Sequence, residues 1–161
     1  MKKEFGKLSD GSIAYLYTLR FGGLEAQITD FGATLYRLYA PDAKGEMADV
    51  VLGFDSPEEY AKSGTFFGTV VGRNSNRTKS ARFTLNGKEY QMGINDTGNN
   101  LHSGPDYFKN RLWKVEVVSE NAITLCLFSP DGDQGFPGNA NIRVTYALEE
   151  NSTLSVSYDA I

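Results

Sequence analysis

Apolar and polar residues alternate in short runs along this chain: Ser12 to Leu19, Leu24 to Ile28, Thr34 to Tyr39, Asp49 to Leu52 and Arg82 to Leu85. In these runs β-branched and aromatic side chains recur at every second position, the spacing of strands with one buried face. Asn86-Gly87 separates ARFTL from KEYQM. That dipeptide supplies the positive φ angles of a two-residue turn, so the segment is predicted to be a β-hairpin. Leu112 to Val118, Ala122 to Phe128, Asn141 to Leu148 and Thr153 to Tyr158 continue the pattern with polar turns such as SEN and EENS between them, as in a meander.

Only Ser56-Pro57-Glu58-Glu59-Tyr60-Ala61-Lys62 reads as a helix. Serine caps it, proline occupies the first helical position and the glutamate at the third completes a capping box. Roughly ten strands with antiparallel connections and one short helix predict an all-β fold, a sandwich or barrel, rather than a doubly wound sheet. The last strand, TLSVSYDAI, alternates up to the final residue. An unpaired strand offers its backbone to other chains, so further sequence is expected to cover it, an ordinary terminal edge strand being the alternative.

With 161 residues and 40% hydrophobic composition, the chain suffices for one packed core, and residues 1–161 are read as one domain or a piece of one. A formal charge of -4 gives no field for a phosphate backbone or an anionic bilayer, which argues against nucleic-acid and membrane partners. No apolar run is long enough for a span or a signal peptide. A single cysteine, Cys126, and a single histidine leave no internal disulfide and no usual zinc set, so no metal is expected and a reducing, cytoplasmic setting fits.

Three segments carry candidate chemistry. His102 lies in a loop rich in Asn, Gly and Pro, where an imidazole suits general acid or base work; the plain alternative is a loop histidine hydrogen-bonded to backbone. Arg73, Asn74, Asn76, Arg77 and Lys79 cluster after an apolar run. Guanidinium and carboxamide groups bridge neighbouring hydroxyls, and Tyr107, Phe108 or Trp113 could face the C–H side of a sugar; the plain alternative is a solvated loop whose charges do nothing specific. Ser129 to Gly138 opens like a calcium loop, but Ile142 stands where the closing glutamate belongs, so a stiff connection is expected there. No phosphate loop, dinucleotide fingerprint or nucleophile elbow occurs.

VVGRNSNR, RFTLNGKEYQM, GNNLHSGPDYFKNRLW and SPDGDQGFPGNANIRVTYAL, in this order and spacing, together resemble the aldose 1-epimerase (galactose mutarotase) family over essentially the whole chain. The resemblance implies a large antiparallel β-sandwich, of which residues 1–161 would be the amino-terminal portion. It implies interconversion of the α and β anomers of free aldohexoses by ring opening, with no cofactor. It places His102 as the histidine near the ring oxygen, Asn76 and Arg77 as ligands of the sugar hydroxyls, and Arg73 as a further substrate-binding residue. The family's second histidine, its hydroxyl-binding aspartate and its glutamate base correspond to positions beyond Ile161, so a complementing carboxyl-terminal segment or chain is expected as a partner. Asp131, Asp133 and Glu89 are the carboxylates available as substitutes. A non-catalytic sugar-binding module, an assembly piece acting by strand addition and an enzyme for a phosphorylated hexose are the other readings.

Overall fold

In a computed structural model, which describes residues 1–161, the alternating runs form two antiparallel sheets. The first contains β1 (Lys2–Lys7), β2 (Ile13–Phe21), β3 (Leu24–Thr29), β4 (Thr34–Pro41) and β5 (Met47–Asp49), in that spatial order. The second is the meander β10 (Lys114–Val118), β11 (Ala122–Ser129), β12 (Ala140–Glu149) and β13 (Thr153–Ala160). Between them in sequence lie helix α1 (Pro57–Lys62), the two-residue strands β6 (Arg77–Thr78) and β9 (Asn100–Leu101), and the hairpin of β7 (Arg82–Leu85) and β8 (Lys88–Gln91).

The period of two decides which side chains meet. Leu19, Ala26 and Ile28 of the first sheet share one core with Ile123, Leu125, Val144, Tyr146 and Leu148 of the second. Each fully buried aliphatic side chain there contributes on the order of 2 kcal/mol. Tyr146 carries its hydroxyl into that core and donates to Ala33 O at 2.7 Å, so the buried polar atom is satisfied. A smaller cluster of Ala14, Phe31 and Tyr60 forms where α1 packs beside β1.

Local signals are realised closely. Asn86 and Gly87 adopt φ of 52° and 77°, both left-handed, as the two-residue turn requires. Ser56 Oγ accepts the Glu59 N–H, while the Glu59 carboxylate accepts from the Ser56 hydroxyl and from Asp55 N rather than from the Ser56 backbone N–H, a capping box whose backbone donor is displaced by one position. One strand lies outside the alternating runs and one expected strand is shortened. β1 is a strand with no alternating apolar signature, held by backbone pairing to β2. The strand expected at Asp49 to Leu52 ends at Asp49, because Val50 and Leu52 stay 62% and 71% exposed and find no sheet face.

The loop between β3 and β4 ties the first sheet to the region that bears the candidate chemistry. Leu35 N donates to Gly68 O, Val70 N to Gly32 O, Gly32 N to Arg111 O and Trp113 N to Asp30 O. Gly68 has φ +63°, and a Cβ there would collide with Leu35 O, so only glycine permits this approach.

Candidate functional site

β6 and β9 pair Arg77 with Leu101 and Thr78 with Asn100, which sets Asn76 beside His102. Asn76, His102 and Ser103 all have left-handed backbones, with φ of 61°, 55° and 56°. Such conformations are uncommon outside glycine and persist where surrounding contacts fix them. The fixing contacts are reciprocal. His102 N donates to Asn76 O at 3.0 Å, and Asn76 N donates to His102 Nδ1 at 2.9 Å. Ser103 Oγ accepts from Asn74 N and donates to Asn74 O, at 2.7 and 2.9 Å.

Because Nδ1 accepts a backbone N–H, the neutral imidazole carries its proton on Nε2. Burial, and then the Arg77 guanidinium, lower the His102 pKa, so this neutral tautomer prevails at pH 7. The ring is also held from the side: Phe66 lies 4.6 Å away by ring centroids at 52°, and Tyr107 meets Phe66 edge-on at 5.1 Å. Lys109, 4% exposed, donates to Tyr60 O and Ser63 O at the end of α1 and sits 5.4 Å over the Phe66 ring. Helix, aromatic wall and imidazole are thus one packed unit.

Arg77 is 56% exposed at its side chain and uses Nε on Asp96 Oδ2 at 2.5 Å. Its Nη1 and Nη2 donate to no protein acceptor. Asn76 uses Oδ1 on the Arg77 N–H at 2.9 Å, which leaves its Nδ2 as a donor. His102 Nε2–H, Arg77 Nη1 and Nη2, and Asn76 Nδ2 therefore form a cluster of donors suited to oxygen-rich ligands.

Arg73 is turned elsewhere. It donates to Ser129 Oγ, Ser129 O, Pro130 O and Pro137 O at 2.8 to 3.1 Å, occupying four of its five N–H groups. This points to a structural post and away from the sugar-ligand role expected for it. Ser129 Oγ also donates to Asp133, whose carboxylate accepts two bonds from Arg111 at 2.7 and 2.8 Å. Those Arg111 bonds in particular hold the Asp133 pKa down to about 2. Asp133 is thus a fixed anion and unsuited to the base role considered for it. Asp131 is engaged with Gly138 N, and Glu89 pairs with Arg82.

Phe108 and Trp113, candidates for a sugar platform, are each 3% exposed and belong to the core. The aromatic residue at the histidine is Phe66, which sequence reasoning did not single out. A cavity of about 260 Å³ lies between Val70–Arg73 and β12–β13, but neither His102, Asn76 nor Arg77 lines it, so it is separate from the donor cluster. No group of three His, Cys, Asp or Glu side chains converges. No helix is long and apolar enough to cross a membrane.

The sequence profile of the aldose 1-epimerase family matches residues 15–161. Galactose mutarotase from Rattus norvegicus is 41% identical over 157 residues, covering 97% of this chain and 45% of the relative. Aldose 1-epimerase from Escherichia coli is 36% identical over 152 residues, covering 94% and 44%. Among solved structures, an aldose epimerase homologue from C. elegans superposes with a TM-score of 0.86 at 34% identity, over 91% of this chain and 46% of that one. The chain thus spans less than half the length of these relatives. With its two sheets, its donor cluster at His102 and a family match over nearly all its residues, the chain belongs to the aldose 1-epimerase family.

Proposed function

We propose that this chain supplies the His102 side of a monosaccharide site and that, joined to a segment making up the rest of its relatives' length, it interconverts the anomers of free aldohexoses such as galactose or glucose. The observation that carries this reading is the Asn76 N–H bond to His102 Nδ1, which leaves Nε2–H as the outward donor beside the free Nη groups of Arg77. Ring opening requires removal of the C1 hydroxyl proton and protonation of the ring oxygen, after which the C1–C2 bond rotates and the ring recloses. A donor fixed in direction suits a hydrogen bond to the ring oxygen, while the proton itself, which a neutral imidazole does not release, is expected from the complementing segment. Arg77 and Asn76 suit the neighbouring hydroxyls.

No free carboxylate stands beside His102, so the base is expected from the complementing segment, and the isolated chain should be slower by orders of magnitude. The reading includes a cytoplasmic setting, no cofactor and a sugar as the small-molecule partner. Polarimetry of fresh α-galactose tests it. The chain with its complementing segment should accelerate mutarotation and His102→Ala should abolish most of that rate; an unchanged rate in the variant removes His102 from the mechanism.

The same lack of a base favours a second reading, a sugar-binding module without turnover. Calorimetry separates the two, since affinity without acceleration, even after complementation, supports the module.

A further inference from the structure

The turn that follows β8 faces the donor cluster and is more tightly built than its composition suggests. Asp96 N donates to Asn99 O at 3.2 Å and Asn99 N returns a bond to Asp96 O at 2.8 Å, closing a tight turn with Thr97 at φ 47° and Gly98 at φ 87°. Asn95 moors this turn to β9, accepting from Leu101 N at 2.6 Å and donating to Leu101 O at 2.9 Å. Leu101 is in turn the strand partner of Arg77. The Asp96 carboxylate is therefore carried on a fixed support directly opposite the Arg77 side chain, and is 23% exposed where Arg77 is 56% exposed.

The contact goes to Nε and not to the terminal nitrogens. A carboxylate that took the two Nη groups in a fork would close the guanidinium to a ligand. One that takes the Nε edge fixes the plane of the group and leaves its other edge open. We propose that Asp96 is a positioning residue of this site: it holds Arg77 by Nε so that Nη1 and Nη2 are presented together to a pair of sugar hydroxyls. The inference rests on the sugar-site reading above. It adds that Arg77 binds in a direction set by the turn, so that losing Asp96 weakens ligand capture and spares the hydrogen bond that His102 Nε2–H gives the ring oxygen.

Two measurements test it on Asp96→Ala and Asp96→Asn. In the first, the exchange of the Arg77 Nε–H proton is followed by NMR in the chain itself. It should be slow in the parent protein, about threefold or more faster in Asp96→Ala, and intermediate in Asp96→Asn, which keeps an acceptor oxygen. In the second, galactose mutarotation by the complemented protein should show KM raised by a similar factor with kcat held. Unchanged Nε–H exchange in Asp96→Ala, or a fall in kcat at constant KM, overturns the assignment. Equal losses in both variants with lowered melting midpoints indicate collapse of the turn and overturn it too. A parent protein that shows neither sugar binding nor turnover while its Nε–H stays protected overturns the sugar-site reading, and with it the presentation of Arg77 to a sugar. A working parent whose Nε–H ignores the substitution overturns only the role of Asp96.

Discussion

The backbone N–H of Asn76 points at Nδ1 of His102 from 2.9 Å, so the residue preceding Arg77 decides which imidazole nitrogen carries the proton. Protonating Nδ1 would set a donor against a donor. With the His102 pKa lowered by burial and by Arg77, the stability contributed by the neutral ring is fully present above the ordinary histidine value of about 6.5 and is lost as pH falls through the lower folded value. Since the chain has one histidine, its imidazole resonances report this directly. The titration midpoint should lie below about 6.5, with Nδ1 unprotonated at pH 7, and Arg77→Gln should raise the midpoint. A proton found on Nδ1 at pH 7 would rule out the Nε2–H tautomer.

Asp133→Asn should destabilise the protein by about 3 kcal/mol, because it strips Arg111 of its buried partner and loosens the segment that Arg73 grips. With the Asp133 pKa held at about 2, its contribution is present above the usual aspartate value of about 3.9 and disappears as pH falls through 2. Urea unfolding at pH 7 should therefore show the full loss. A change below about 0.5 kcal/mol means that the Arg111–Asp133 pair is not the anchor of this loop.

Asp30 behaves in the opposite sense. It is 7% exposed, and burial raises its pKa to about 6, although its Oδ1 accepts the Tyr15 N–H at 2.8 Å. A raised folded value favours the folded state below the unfolded pKa, and that advantage is lost as pH rises through about 6. Asp30→Asn keeps the acceptor and removes the charge, so it should stabilise the protein by about 1–3 kcal/mol at pH 8 and do little at pH 4. Melting curves at the two pH values decide it, and destabilisation at pH 8 would show that the carboxylate is needed.

Gly68→Ala should cost about 2 kcal/mol or more, since the added methyl meets the Leu35 carbonyl and the backbone sits at positive φ. The resulting shift should reach the Phe66 wall and broaden the His102 resonances. A variant as stable as the parent would mean that the 66–70 segment relaxes freely.

The sheets were legible in the sequence because alternation, the Asn-Gly turn and the serine cap are local signals. β1 was not, since Lys2 to Lys7 is held at a sheet edge by backbone bonds and its side chains leave no periodic trace. At the site, composition showed a cluster of cations but no direction for any of them. Arg73 turns to the 129–137 segment and Arg77 to solvent, a difference set by contacts with residues far along the chain. Phe66, Asp96 and Lys109 escaped notice for the same reason: each acts through a neighbour brought close only by folding.

β13 has a neighbour on one side only, and Val156 and Tyr158 on it are 40% and 63% exposed. Free amides flanked by greasy side chains invite lateral accretion of identical molecules. Turbidity of concentrated stocks of residues 1–161 should accordingly fall in Val156→Lys, which sets a charge on this margin.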